Sequence, residues 1–522
     1  MDFIAFVLNH APALSVAVPL LSAFLIPLFK KEWLKASMAF TLLSLLFTEI
    51  LVLSVFFSVL SGGTRVYTMG ADIPGRTLPS GMSVPVRIIL QIDAPSALMG
   101  LIGATIALIA AFYALQGVKD KAEGKFYCLM LLMLSGFIGF VFTGDFFNLF
   151  VFFEILSISS VGLIAFWLHK QEAIEAGFKY LSISAVASLF VLLAIALMYA
   201  QHGVLNIAAI SLETAISGFA IIDVIALGLL VAGFLMKCGA VPMHYWVPDA
   251  YGEAPEAITA ILAVATQASL YALLRVCFTM FGSFELIGII AWAMILFGVL
   301  SLFVGSTMCL LQKDLKRLIA YGGISQTGFI LVAMGAGLAA IGNPVFSDFG
   351  FKAMQGGIFH MINHAFYEAL LFLSAGAVIY AAGTKDLDEL GGLARKMPFT
   401  AILFLVGAIA MAGLPPSNGF ASKILIYESI YYFNPFLAVI ALVSSVIVTV
   451  PLVKAFCAVF LGPEVKTLSG AREAPKAMLF AMAVLALIVI LLGFFPSIVI
   501  DFVAKPAAKA LLDWGSYWGA VV

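Results

Sequence analysis

The chain has 522 residues, of which 63% are hydrophobic and only 11% charged; its 27 basic and 28 acidic side chains leave a formal net charge of −1. Soluble proteins carry about 25% charged residues, so a set of soluble domains is excluded, as is a disordered chain, which needs few apolar residues and many charges. The near-neutral balance offers no basic footprint for nucleic acid. These properties predict an all-α polytopic membrane protein with the lipid bilayer as its solvent.

Met1 to His10 holds Asp2 and no basic cluster ahead of the first apolar run, so that run is expected to stay as a membrane anchor. A spanning helix needs about 20 apolar residues. Runs of that length predict about fourteen helices, starting near residues 11, 36, 94, 126, 146, 178, 221, 257, 285, 318, 354, 399, 436 and 477. The Gly-, Pro- and Arg-containing stretch 61–92 is expected to be a loop. The seventh run meets a breaker at Gly239 to Pro242. The twelfth, about 399–433, is too long for one straight span and holds Gly413-Leu414-Pro415-Pro416 in its middle. Paired broken helices in a transporter point to an ion or substrate path. The tail beyond residue 503 is short and is expected at the interface.

Loop charges set the topology. Segments near 30–35, 119–125, 170–179, 313–317, 385–396 and 466–476 carry 17 of the 27 basic residues, against six on the opposite side. By the positive-inside rule the first side is cytoplasmic, which puts both termini, and the loop 61–92, outside a cell membrane. Four basic residues remain within spans: Lys237, Arg275, Lys423 and Lys454. Arg275 and Lys454 lie near span ends and are read as snorkelling. Lys237 and Lys423 each sit beside a helix break, where freed backbone groups and water support a charge, and are read as functional.

Among the acids, Glu154 falls about 12 Å into the fifth span at 1.5 Å per residue. Glu49 is similarly central in the second, with function and packing both open. His360, His364 and Glu368 are spaced four apart and line one face of the eleventh span, a pattern that suits a proton relay. A bis-histidine haem fits less well, because two histidines one turn apart cannot take opposite haem faces. The five cysteines are scattered without a CxxC pair, which leaves no iron–sulfur or zinc ligand set and favours packed thiols.

Several motifs resemble the antiporter-like subunits of the complex I superfamily: large membrane subunits of NADH–quinone oxidoreductase, Mrp-type cation/proton antiporters and membrane-bound hydrogenases. They are TGDFFNLFVFFEILSISS (143–160), KCGAVPMHYWVPDAYGEAP (237–255), DLKRLIAYGGISQTGF (314–329), HMINHAFYEALLFLSAGAVI (360–379) and GLPPSNGFASK (413–423), in the family's order. GDFFNLFVFFEI looks closer to the Mrp and hydrogenase branch than to the quinone branch.

The resemblance implies fourteen helices with two inverted five-helix repeats. The implied organisation is 1–125 for three helices and the loop, 126–281 for the first repeat, 285–461 for the second, and 462–522 for the last helix and tail. It places Glu154, Lys237 and Lys423 at the family's glutamate and lysines. Glu154 is then expected to pair with Lys237 and hold its proton, which passes by His364, His360 and Glu368 to Lys423.

Two departures stand out. Glu368 occupies a position that is commonly lysine, and the eighth span offers the non-titrating Gln267 where a Lys or His is common. The connecting route is therefore open between water, the His364–Glu368 face, and Lys316, which sits in a QKDLKR cluster that also suits a cytoplasmic anchor.

The function implied is proton translocation within a multisubunit complex, most simply a redox-driven one of the membrane-bound hydrogenase type. A secondary Na⁺/H⁺ antiporter of the Mrp type, a subunit of NADH–quinone oxidoreductase, and a scaffold with decayed channel residues are the alternatives. The chain carries no redox motif. Its expected partners are other membrane subunits, and any iron–sulfur or nickel centre belongs to peripheral redox subunits of an ion-translocating oxidoreductase. Isolated acids do not group the oxygens a hard cation needs, so protons are expected here and any Na⁺ in neighbouring subunits.

Overall fold

The computed structural model describes residues 3–29, 33–77, 83–117, 123–285, 287–343 and 347–521. Lys30, Lys31, Lys119 and Lys121, which enter the charge asymmetry, lie outside the described residues. The expected apolar runs form α1 (Ala11–Leu25), α2 (Leu34–Gly62), α3 (Ala94–Gly117), α4 (Glu123–Phe142), α5 (Phe146–Ile164), α6 (Gln171–His202), α7 (Ile221–Lys237) and α8 (Trp246–Glu253). There follow α9 (Glu256–Leu274), α10 (Ile287–Leu311), α11 (Leu315–Ala339), α12 (Ser347–Ala382), α13 (Pro398–Ala412), α14 (Asn418–Phe433), α15 (Pro435–Phe456), α16 (Lys476–Phe494) and the short α17 (Lys505–Leu512). Among the described residues, 12 of these helices are long and apolar enough to cross a membrane. The runs expected at 221 and 399 are the interrupted pairs α7–α8 and α13–α14.

Both interruptions are built the same way. α7 ends on Gly239 at φ +72°, with Ala240 N–H donating to Leu235 O and Gly239 N–H to Met236 O. α13 ends on Gly413 at φ +76°, with Leu414 N–H donating to Ile409 O and Gly413 N–H to Ala410 O. These are Schellman ends, which use a left-handed glycine to satisfy carbonyls that a continuing helix would have bonded. Such self-satisfaction is what lets backbone stop inside a hydrocarbon layer.

The spanning stretch of α9 is 100% buried and that of α11 94%, against 39% for α10 and 33% for α16. A wholly apolar lipid-facing helix needs no polar residues, whereas α9 and α11 carry theirs inward, so these two form the centre on which the functional groups converge.

Within 61–92, where 78–82 lie outside the described residues, the chain departs from the expected loop. It forms an antiparallel ribbon, β1 (Arg65–Thr77) and β2 (Ser83–Ile92), with Arg65 opposite Ile92 and Tyr67 opposite Leu90. Val84, Val86, Ile88, Leu90 and Ile92 alternate with other residues, which is the strand period. The ribbon is anchored where Gly144 N–H donates to Ile89 O at 2.9 Å. A Cβ on Gly144 would lie 2.7 Å from Gln91 Cβ, so the approach requires glycine.

Both chain ends meet this ribbon. His10 Nδ1 lies 2.7 Å from Tyr67 Oη, and Gln91 Nε2 donates to Tyr517 O at 2.7 Å. The tail is packed against protein, with Tyr517 2% exposed and Trp514 Nε1 donating to Phe278 O.

Candidate functional site

At the first break Lys237 is the last residue of α7 and 4% exposed. Its Nζ donates to Ser157 Oγ of α5 and Ser184 Oγ of α6, both at 2.7 Å, and lies 4.2 Å from the centre of the Tyr180 ring. Burying an ammonium costs several kcal/mol unless it is paired; two hydroxyl oxygens and an aromatic face offset part of that cost. The expected direct pair with Glu154 does not form, since no ion pair among the described residues joins the two within 4.0 Å. Phe153 and Ser157, four apart, present one face of α5 to Lys237, and Glu154 is turned about 100° away from Phe153. Glu154 Oε1 is buried without a hydrogen-bond partner.

Beyond Lys237 a small cavity is lined by Cys238, Tyr251, Thr266, Thr327, His364 and Glu368, among others. It joins the first break to α12. Tyr251 Oη donates to Leu262 O at 3.1 Å and lies 3.4 Å from Thr266 Oγ1. Glu368 is 1% exposed, and its room comes from α11: a Cβ on Gly323 would stand 2.0 Å from Glu368 Oε1.

His364 Nε2 lies 2.9 Å from Glu368 Oε2, off the angle of a hydrogen bond, and His364 Nδ1 lies 2.6 Å from Gln267 Nε2 of α9. The His360 and His364 rings are near-parallel, 6.4 Å apart at 11°. The spacing on α12 thus brings the three groups into one buried row, with Gln267 beside it.

At the second break His360 Nδ1 is 2.9 Å from Ser422 Oγ, the neighbour of Lys423. Lys423 is 1% exposed; its Nζ donates to Met411 O at 2.8 Å, Ala412 O at 3.4 Å and Ser445 Oγ at 3.1 Å. The ammonium therefore caps the C-terminus of α13, where helix carbonyls carry partial negative charge. Lys237 ends its own helix, whereas Lys423 reaches back from α14 to the helix before it. Reciprocal bonds between Asn363 and Asn418 tie α12 to α14 beside it.

Four other basic positions resolve. Lys316 is 2% exposed, and its Nζ donates to Ala254 O at 2.5 Å with Glu256 Oε1 3.9 Å away, so it is buried at the α8–α9 junction and is no anchor. Lys313 and Arg317 of the same cluster are the surface members, paired with Asp388 and Asp249. Arg275 does not snorkel: it is 3% exposed and bound to Asp93 Oδ1 at 2.5 Å, because an aspartate at the start of α3 supplies a partner that a span-by-span reading does not see.

Glu49 finds its polar partner in Thr105, which donates to Oε1 at 2.8 Å. Of the cysteines, Cys457 is exposed rather than packed. The hydroxyls Ser157, Ser184 and Ser445 that bond the two lysines, and Ser422 that meets His360, were not legible, because a serine in an apolar helix looks the same whether it bonds its own backbone or another side chain; Gly323 had a signal in the Gly322–Gly323 pair.

The family described as NADH:quinone oxidoreductase/Mrp antiporter, TM matches residues 143–449, which contain every group of this row from Glu154 to Lys423. The chain belongs to this family. Its similarity extends to both kinds of member in that description. It is 32% identical to an NADH-quinone oxidoreductase membrane chain (the N subunit) of Desulforudis audaxviator, over 95% of this chain and 98% of that one. It is 30% identical to a Na(+)/H(+) antiporter chain (the D subunit) of Bacillus subtilis, over 99% of this chain and all of that one. It is 31% identical to a second Na(+)/H(+) antiporter chain (the A subunit) of Alkalihalophilus pseudofirmus over 85% of this chain, and spans 57% of that longer protein.

Among solved structures, a chain of the membrane-bound sulfane sulfur reductase, an archaeal respiratory membrane complex, superposes with a TM-score of 0.85 at 28% identity, over 98% of this chain and all of that one. A chain of the Mrp complex from a Dietzia species gives the same score at 23% identity, covering 99% of both chains, and shares the fold.

Proposed function

We propose that this antiporter-like chain translocates protons along the buried row Lys237, Glu368, His364, His360, Lys423 as one membrane subunit of a larger complex. The observation that carries the reading is the buried run Glu368, His364, His360 lying between the two breaks, with a small cavity from Cys238 to Glu368 on the Lys237 side, Ser422 between His360 and Lys423, and Gln267 of the fully buried α9 bonded to His364. Glu154, close to the Lys237 cage, tunes the lysine through space rather than by contact, and Lys316 is the entry group at the α8–α9 junction. The similar construction of the two breaks supports two related half-channels and the repeat boundaries near 126–281 and 285–461.

A redox-driven complex is the preferred setting, favoured by the 28% identity and full coverage of the sulfane sulfur reductase chain; electron-carrying centres then belong to partner subunits. The antiporter setting is favoured by the Bacillus relative. Loop charges support a cytoplasmic-membrane location with the ribbon and both termini outside.

The test is reconstitution of the purified complex in proteoliposomes. Lys237→Ala and His364→Ala are expected to abolish pumping while the complex stays assembled, and native pumping by either variant sinks the reading. Co-purifying iron–sulfur or nickel subunits mark the redox setting; small membrane subunits alone mark the antiporter.

A further inference from the structure

Gln267 begins a second polar line that the row above does not use. Gln267, Tyr271 and Arg275 are four apart and share one face of α9 and the turn that follows it. Arg275 Nη2 donates to Tyr271 Oη at 3.1 Å and to Asp93 Oδ1 at 2.5 Å, and Nη1 donates to Thr279 Oγ1 at 3.1 Å. The guanidinium lies 4.8 Å from the centre of the Tyr517 ring, contributed by the tail.

This cluster is buried yet incompletely satisfied. Asp93 is 2% exposed, and while Oδ1 takes Arg275 and Ser96, Oδ2 has no hydrogen-bond partner; Arg275 Nε has none either. A structural ion pair is normally finished with donors on both oxygens, since an unmet buried polar atom keeps the cost of its desolvation with nothing to offset it. Atoms left open in this way are met by water, and Asp93 lines a surface pocket at the ribbon end of the molecule, together with Thr64, Lys509, Ala510, Asp513 and Tyr517. Between Tyr271 and α12 lies a small crevice whose other walls are apolar, including Leu98, Met99, Ile358, Met361 and Ile362. The line from His364 to the pocket is therefore polar at both ends and dry in the middle.

We infer that this line is a gated branch to the ribbon-side surface, in which Asp93 takes up a proton that has left His364 and releases it to the pocket. The inference rests on the proton-translocating reading above. In the step, imidazolium His364 gives up its proton to water ordered by Gln267, the proton reaches Asp93 Oδ2 when the crevice wets, and the protonated Asp93 loses its charge attraction to Arg275. Loss of the proton to pocket water restores the pair. The tail, which lays Tyr517 on Arg275, is the outer wall of the gate.

The test uses the intact complex in proteoliposomes. Ala510→Cys adds one sulfur to the pocket wall without touching the ion pair, and pumping by this variant is compared before and after complete modification by a bulky membrane-impermeant thiol reagent, with the native complex treated in parallel to account for Cys457. Modification is expected to lower pumping in the variant by the share that leaves through Asp93, the route to Lys423 carrying the rest, and to leave the native complex unaffected. Tyr271→Phe is expected to slow pumping several-fold with the assembly and thermal midpoint unchanged. Full modification of Ala510→Cys with unchanged pumping overturns the branch. If Lys237→Ala has already abolished pumping, that result removes the branch and leaves the main row standing; if Lys237→Ala pumps normally, the underlying reading is the one that fails.

Discussion

Gln267 Nε2 stands 2.6 Å from His364 Nδ1, which sets a residue that cannot hold a transferable proton against one that can. The pairing explains how a glutamine serves at this place. With the amide donating to Nδ1, that nitrogen is an acceptor and the ring proton sits on Nε2, towards Glu368. With the amide turned, Oε1, which has no other partner, accepts from Nδ1–H, so the same side chain can face either state of that nitrogen. Gln267→Leu removes both options and is expected to slow pumping by roughly ten-fold, the effect of a barrier higher by about 1.4 kcal/mol. Gln267→His, which restores a two-sided group, is expected to keep most of the activity. Proton uptake per turnover in proteoliposomes distinguishes the two.

Gly323 is the next point of leverage. Its missing side chain leaves the space that Glu368 Oε1 occupies, and an alanine there would push the carboxylate off His364. Gly323→Ala is expected to lower pumping by an order of magnitude or more while the complex assembles. Gly322→Ala is the control: its Cβ meets the flexible end of Met411 at 2.7 Å, which can move aside. Equal activity of the two variants would remove Glu368 from the route.

The architecture and the breaks were readable because apolar run length, Gly and Pro carry their own physics: a helix lies at each expected start, although α6 (Gln171–His202) and α12 (Ser347–Ala382) begin about two turns ahead of the starts expected near 178 and 354, and the breaker Gly239 to Pro242 opens the short α8. What the residues could not convey were contacts between runs. Glu154 and Lys237 are both intramembrane charges of opposite sign, and pairing them is the economical guess, yet α5 turns Phe153 and Ser157 to the lysine instead. Arg275 and Asp93 are 182 positions apart, so nothing local marked them as partners. The ribbon was missed for a different reason, since its period-2 alternation in 83–92 was masked by Pro and Arg that a composition reading assigns to loop.

The hydroxyl cage of Lys237 gives a prediction that separates cage from acid. Ser157→Ala with Ser184→Ala removes two charge-assisted bonds, each worth about 1.5–3 kcal/mol, and leaves the ammonium against aromatic faces. Pumping is expected to fall more in this double variant than in Glu154→Gln, with Ser157→Thr restoring activity. The reverse order, measured under the same driving force, would return Glu154 to the role of direct partner.

Outside the membrane, Lys385 ties three elements together: its Nζ lies 2.7 Å from Glu253, 2.9 Å from Asp314 and 3.1 Å from Gly252 O. Burial alone would lower its pKa, but Asp314 and Glu253 outweigh that and hold it above the ordinary lysine value. A pKa raised on folding contributes stability that is fully present below the unfolded value, about 10.4, and is lost as pH rises through the folded value. Lys385→Met is therefore expected to lower unfolding stability by about 1 kcal/mol near neutral pH, a modest sum because the group is partly exposed. The gap between variant and native thermal midpoints is expected to close only at strongly alkaline pH. A gap that closes on acidification instead would contradict this assignment.

Gly413 links the backbone break directly to its lysine. At φ +76° it stands where an L side chain is strained, and a Cβ would lie 2.7 Å from Lys423 Cδ and 3.2 Å from Nζ. Gly413→Ala thus carries two costs: about 1–2 kcal/mol for the left-handed backbone, and displacement of the ammonium from Met411 O and Ser445 Oγ. Gly239→Ala carries the first cost, but its Cβ meets Val247 Cγ2 rather than Lys237. Similar losses of thermal midpoint are expected from both, with the larger loss of pumping in Gly413→Ala. Because the two variants share the backbone strain and each crowds one side chain, Val247 in one and Lys423 in the other, an excess loss of pumping in Gly413→Ala at matched thermal midpoint reports the displaced ammonium, and its absence would mean that the carbonyl cap on α13 is structural.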